Sequence, residues 1–144
     1  MIAIDSNVVL RRLLQDDAAQ CLRVDRLFAA HAAILITDIV LVEVAWTLAG
    51  RRYRARREQI VAAIGGLMEE PNLVFEDRQA LWAALCDYAE AEPVTTANGR
   101  RHADFADALL VRKARAIGAS RGVPLVSTYT FDVPCQSLPG VRAL

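Results

Sequence analysis

The chain opens on four apolar residues, Met1, Ile2, Ala3 and Ile4, and stops at Asp5. So short a run, closed by an acid, predicts a brief buried strand over 2–5. Residues 7–15 and 18–30 then carry apolar positions at three- and four-residue spacing, with Asp16 and Asp17 between them, and predict two helices. Residues 34–36 predict a second strand. Thr37 or Asp38 can cap a helix running to Ala49, with Gly50 as its stop. A further helix is expected over 54–68. Pro71 and Asn72 mark a turn, 73–75 a third strand, and 78–90 a helix. The polar stretch 92–101, with Pro93, Asn98 and Gly99, predicts a loop. Residues 103–117 predict a helix ended by Gly118, 124–127 a fourth strand, and 141–144 a fifth after Pro139 and Gly140. Short apolar strands alternating with helices imply an α/β protein with a parallel sheet covered on both faces.

Length and composition narrow this picture. A chain of 144 residues, 54% hydrophobic, can build one domain with a substantial core. Lys plus Arg equals Asp plus Glu at 17 each, so the net charge is zero and no general attraction to polyanions is expected. The basic charge is uneven, however. Lys113 is the one lysine, and five arginines fall at Arg51, Arg52, Arg54, Arg56 and Arg57. Any nucleic-acid contact would therefore be local, and the bland reading of such a run is a solvated helix face. Cys21, Cys86 and Cys135 form no close pair or zinc pattern, which fits a reducing compartment. No basic segment precedes the first apolar run, as a signal peptide would need, and no apolar run is long enough to span a bilayer. A cytoplasmic location is the expectation.

The candidate chemistry lies in acids that interrupt apolar segments. Asp5 ends the first run. Glu43 sits inside Val40-Leu41-Val42 and Val44-Ala45-Trp46. Asp104 and Asp107 flank Phe105-Ala106, and Asp132 follows Phe131. An ionised carboxylate beside an apolar wall costs several kcal/mol (about that order) unless it is paired or binds a cation. In parallel α/β sheets ligands collect at the carboxyl ends of the strands, where Asp5 lies. Each acid has a plainer reading. Asp5, Ser6 or Asn7 could cap the next helix. Glu43 could share a solvated stripe with Thr47. Asp104 and Asp107 could satisfy first-turn amides, and Asp132 could sit in an ordinary turn. If the acids converge, an all-oxygen site selects Mg²⁺ or Mn²⁺, ions suited to phosphoryl chemistry. Glycine-rich dinucleotide and P-loop motifs and the serine-esterase elbow are absent.

Taken in order, Ile4-Asp5-Ser6-Asn7-Val8-Val9-Leu10, Val42-Glu43-Val44, Ala103-Asp104-Phe105-Ala106-Asp107-Ala108-Leu109-Leu110 and Thr130-Phe131-Asp132 resemble the PIN-domain family, and within it the VapC-type ribonuclease toxins of bacterial toxin–antitoxin pairs. Leu138-Pro139-Gly140-Val141 adds to the likeness, which spans essentially the whole chain. The resemblance implies a single PIN domain over 1–144. Its fold would be a three-layer α/β/α sandwich with a mostly parallel central sheet of four to five strands. It implies a Mg²⁺-dependent endoribonuclease (Mn²⁺ serving as well), a VapB-like antitoxin, an RNA substrate and a homodimer. On that likeness the catalytic acids are Asp5, Glu43, Asp107 and Asp132. The metal ligands are Asp5, Asp107 and Glu43, with Asp104 auxiliary. Ser6 and Asn7 support them, and Arg51, Arg52 and Arg54 are candidates for RNA contact. Relatives place the last acid within a couple of residues of a strand end. Here four residues, Thr128 to Phe131, separate Asp132 from the strand expected over 124–127.

Two other functions compete. A metal-dependent phosphatase would usually carry Asp-x-Asp after its first strand, and here Asp5 is followed by Ser6 and Asn7. A catalytically silent RNA-binding or regulatory module has no need to keep mutually repelling carboxylates.

Overall fold

The structure is a computed structural model that describes residues 1–144. The chain is mixed α/β, with six α-helices, and divides into two compact units, Met1–Arg78 and Gln79–Leu144. No helix is long and apolar enough to cross a membrane.

The first unit runs β1 (Ile2–Ala3), α1 (Ser6–Leu14), α2 (Ala18–Ala30), β2 (Ile34–Ile36), α3 (Asp38–Ala49), α4 (Arg57–Glu69) and β3 (Leu73–Phe75). Its strands form a parallel sheet in the order β1-β2-β3, with Ile2 opposite Ile34 and Ile34 opposite Leu73. Ile34, Ile36, Leu73 and Phe75 are buried while Leu35 and Val74 are more open, the period-two pattern of a strand with one core-facing side. Helix α1 packs on α2 and α3, and α3 on α4. The core these helices share includes Val9, Phe28, Leu41, Val44, Ile60 and Ile64. Arg12 ties three of the elements together. It donates to Asp25 of α2 and to Glu70 just past α4, both at 2.8 Å, and lies over the Phe28 ring. The hydrogen bond to Glu70 is the main reason its guanidinium pKa is raised.

The second unit contains α5 (Arg78–Glu90, its first residue at the boundary), β4 (Val94–Thr96), β5 (Gly99–Arg101), α6 (Phe105–Ser120), β6 (Thr128–Thr130) and β7 (Val141–Ala143), with a 3₁₀ turn at Cys135–Ser137. Strands β4 and β5 pair antiparallel, and β6 and β7 pair parallel. Helices α5 and α6 are joined by the Tyr88 and Phe105 rings, edge-on at 6.1 Å, and by a forked pair from Arg112 to both oxygens of Asp87 at 2.6 Å.

The class of fold and most elements match the sequence pattern, and several details differ. The strands do not form one ladder of four to five. Three form the parallel sheet of the first unit, and the rest form two separate pairs. The stretch expected to be a loop over 92–101 contains a β-hairpin. Its turn is set by Gly99 at φ 96°, a conformation that suits glycine, and by Thr96 Oγ1, which donates to the Gly99 carbonyl at 2.7 Å. Helix α4 begins at Arg57 instead of Arg54, because Arg54 is left-handed at φ 49° and the Gln59 side chain accepts the Arg56 N–H at 2.8 Å. The fourth strand is Thr128–Thr130, where β-branched and aromatic residues pair with β7, while Val123, Leu125 and Val126 are exposed.

Gly118 does not end α6, which continues to Ser120. Its value is close approach. The chain folds back so that the Val123 N–H donates to the Gly118 carbonyl at 2.9 Å, and a Cβ at Gly118 would stand 2.8 Å from the Val123 oxygen.

Candidate acidic site

In the first unit, the end of β1 delivers the chain directly to α1. Asp5 is the N-cap of that helix: its backbone is extended and its Oδ1 accepts the Val8 N–H at 3.0 Å. Asp5 is exposed, Ser6 half-buried and Asn7 exposed. The cap interaction explains why an acid can close an apolar run without a buried charge. It does not exhaust Asp5, since a carboxylate has about four acceptor positions.

Glu43 lies on the open side of α3. Val40, Leu41, Val44, Ala45 and Leu48 face the core, so the helical period turns Glu43 outward together with Ile39, Trp46 and Thr47. Ile39 is 68% exposed and Trp46 57%. The solvated stripe is thus real, but two large apolar side chains flank the acid on it.

Arg51, Arg52 and Arg54 occupy the exposed link between α3 and α4. Arg52 lies over the Tyr53 ring at 5.1 Å and comes within 3.9 Å of Asp16. Arg54 Nε donates to the Arg51 carbonyl at 3.3 Å.

The second unit brings three acids to one place. Asp104 is the N-cap of α6, and its Oδ1 accepts the Asp107 N–H at 2.8 Å. Asp107 answers, its Oδ2 accepting the Asp104 N–H at 3.0 Å. This reciprocal pair is a capping box with aspartate in place of the usual glutamate. Asp132 lies two residues past β6, so the separation expected from the sequence disappears once that strand is seen to end at Thr130. The Asp132 N–H donates to Thr130 Oγ1 at 3.0 Å, and its Oδ2 accepts the Cys135 N–H at 2.9 Å.

Electrostatics links these groups. Burial raises the Asp107 carboxyl above its ordinary value, and the charges of Asp104 and Asp132 push the same way. The Asp104 amide and the Cys135 thiol, both hydrogen-bonded to Asp107, oppose the shift. The Cys135 thiol is itself pushed up to about 12, first by burial and then by the charge of Asp107. Asp107 is half-buried, and Asp104 and Asp132 are exposed. The sequence pattern suggested acids set against apolar walls, yet no polar or charged residue is fully buried. Helix starts and an outward helix face carry the acids instead.

No group of three or more His, Cys, Asp or Glu side chains stands in ligand geometry for a metal ion. The donor chemistry nevertheless suits a hard cation. Asp104 and Asp107 are carboxylates, each held through one oxygen by a backbone amide, with a third carboxylate near enough to raise the charge cost of Asp107. A divalent cation would relieve that cost, and oxygen ligands select Mg²⁺ or Mn²⁺ over zinc.

Two features of this site escape a reading of the sequence. Cys135 reaches Asp107 and Asp132 only because of the turn after β6, and no motif marks it. The hairpin leading into Asp104 also goes unseen, though Asn98-Gly99 between β-branched and basic residues was a usable turn signal.

No protein-family model matches the chain, and no curated protein matches it. Among solved structures the chain is similar to Mycobacterium tuberculosis VapC20, described as a Sarcin-Ricin loop cleaving toxin. The identity is 16%, covering 91% of this chain and 88% of that one, with a TM-score of 0.40.

Proposed function

We propose that the chain is a divalent-metal-dependent endoribonuclease, the toxin of a toxin–antitoxin pair, acting as a single PIN domain. The observation that carries this reading is the grouping of Asp104, Asp107 and Asp132, with Asp107 raised by burial and by the charges of the other two. Carboxylates that repel one another in a metal-free protein are a liability for stability and an asset for cation binding. In this reading Asp107 and Asp104 hold Mg²⁺ or Mn²⁺, with Asp132 beside them. Asp5 and Glu43 belong to the same chemistry on the strength of their sequence motifs. Ser6 and Asn7 support Asp5, and Arg51, Arg52 and Arg54 contact RNA.

A bound divalent ion would lower the pKa of a water and stabilise negative charge on the phosphoryl oxygens during phosphodiester hydrolysis. The chain's own residues do the holding. The capping box fixes the orientation of Asp104 and Asp107, and the Cys135 amide fixes Asp132.

The proposed partners are a VapB-like antitoxin and a second copy of the chain. Exposed Ile39 and Trp46, on either side of Glu43, offer the mixed apolar and acidic surface that a partner can cover.

The test is cleavage of total RNA by the purified chain with Mg²⁺, Mn²⁺ or EDTA, beside Asp107→Asn and Glu43→Gln. The expected result is metal-dependent cleavage that both variants lose. Undiminished cleavage by Asp107→Asn would sink the assignment. Release of phosphate from a monoester with RNA left intact would favour a phosphatase instead.

A further inference from the structure

The hairpin in front of the acidic group takes no part in the hydrogen bonds that hold Asp104, Asp107 and Asp132. Residues 94–103 contain Arg100, Arg101 and His102 and not one acid, in a chain whose net charge is zero. Arg100 stands opposite Thr95 and Arg101 opposite Val94. Adjacent residues of a strand point to opposite faces, so the two guanidiniums straddle the ribbon. Both arginines are exposed, and neither makes a salt bridge.

The ribbon is held at its base and at its tip. His102 Nδ1 is 3.0 Å from the Ala91 carbonyl, closing the base. At the tip, Thr96 Oγ1 donates to the Gly99 carbonyl and accepts the Asn98 N–H at 3.2 Å. Beyond His102 the chain passes through buried Ala103 straight into Asp104. Three residues span at most about 10 Å. A positively charged ribbon therefore leads directly into the carboxylates proposed to hold the cation.

We propose that the β4–β5 hairpin is a phosphate-binding arm for single-stranded RNA, with Arg100 and Arg101 engaging backbone phosphates next to the one that a cation at Asp104 and Asp107 would hold. The inference deepens the ribonuclease reading and rests on it for the identity of the ligand. Its physics is that of nucleic-acid contact. Unpaired guanidiniums on a two-stranded ribbon neutralise phosphates and release counterions, whereas the carboxylates alone would repel the strand. An acidic peptide could answer the same charge, but it would not be drawn to a cation-loaded carboxylate cluster for cleavage, and the continuity of the ribbon with that cluster favours RNA.

The experiment measures binding of a labelled single-stranded oligoribonucleotide to the full chain in EDTA, where cleavage is off, across a salt series. Wild type is compared with Arg100→Gln/Arg101→Gln, Arg100→Lys/Arg101→Lys and Arg51→Gln/Arg52→Gln. Loss of two phosphate contacts to a single strand should lower the log–log salt slope by about 1.4 and weaken binding about 25-fold at about 0.1 M salt. The lysine pair should restore most of the slope. Unchanged slope and affinity in the glutamine pair would overturn the proposal. So would polyglutamate binding that depends on the same arginines as strongly as RNA does. Binding in EDTA is independent of catalysis. An arm that binds RNA in a chain that cleaves none would refute the ribonuclease reading and spare the arm. Cleavage indifferent to the arm would do the reverse.

Discussion

Replacing Asp107 by Asn separates two effects that the α6 capping box combines. Asn keeps a side-chain oxygen to accept the Asp104 N–H, so the box bond at 3.0 Å survives. The substitution removes a charge that is half-buried and repelled by Asp104 and Asp132. Because the folded pKa of Asp107 is raised, the folded state holds its proton more tightly than the unfolded chain does. The stability it contributes is complete below the ordinary value of 3.8 and is lost as pH rises through the raised folded value. In EDTA, Asp107→Asn should therefore melt higher than wild type at neutral pH, with the gap closing as the pH is lowered towards 3.8.

Asp104→Ala should act the other way. It deletes the 2.8 Å acceptor of the Asp107 N–H, and loss of an N-cap costs about 1 kcal/mol, or about 3 °C in a chain of this size. Asp104→Asn, which caps equally well and removes one of the charges repelling Asp107, should melt no lower than wild type. Differential scanning fluorimetry across pH, in EDTA and then in excess Mn²⁺, reads all of this. With metal the order should invert, since wild type gains about 2.7 kcal/mol at a hundredfold excess over Kd and Asp107→Asn gains little. A gap between wild type and Asp107→Asn that does not change with pH, or an equal Mn²⁺ shift in both, would refute the reasoning.

The same site makes Cys135 a poor nucleophile. With its thiol pushed up to about 12 and its side chain buried, native protein at pH 8 should label first at half-exposed Cys86, with Cys135 reacting only on unfolding; rapid native labelling of Cys135, read by peptide mass spectrometry, would contradict the packing around Asp107. Arg112→Ala breaks the forked pair to Asp87 and should cost about 2 kcal/mol, near 6 °C, by thermal melting, because it strands a carboxylate whose side chain is 9% exposed. Gly118→Ala should destabilise through its 2.8 Å approach to the Val123 oxygen even though Ala is the better helix former; an increase in melting temperature would show that the 123–125 segment yields easily. Trp46→Ser, at a residue 57% exposed, should weaken the self-association or antitoxin binding proposed for this face, measured by analytical ultracentrifugation.

What the sequence makes legible follows where a local signal decides the outcome. Helix α2, strand β2, strand β3 and helix α5 fall at the residues the periodicity marks. The errors cluster where a distant contact or a backbone angle decides. Arg54 is a good helix former, yet its left-handed φ and the Gln59 side chain accepting the Arg56 N–H move the start of α4 to Arg57. Val123 to Val126 are more hydrophobic than Thr128 to Thr130, yet the latter pair with Val141 to Ala143, because a strand forms where a partner with the right register exists. Cys135 joins the acidic group through a turn whose closing bond, Cys135 N–H to Asp132, has no sequence signature.

The acids themselves teach a more specific lesson. An acid closing an apolar run invites two rival readings, a helix cap or a cation ligand, and at Asp5, Asp104 and Asp107 the cap is formed. The two roles are not exclusive. An N-cap bond engages one carboxylate oxygen with a backbone amide, which fixes the side chain's rotamer and aims the remaining acceptor capacity in a set direction. Such preorganisation lowers the entropic cost of binding a cation. It also sets a limit, because the amides that orient the carboxylates stabilise their charge and weaken their need for a metal. Asp107 is where this balance tips. It has the amide and thiol bonds, but burial and two neighbouring charges outweigh them, and its carboxyl remains raised. Of the capping acids, Asp107 is therefore the one whose energetics call for a cation, and the one on which the metal reading stands or falls.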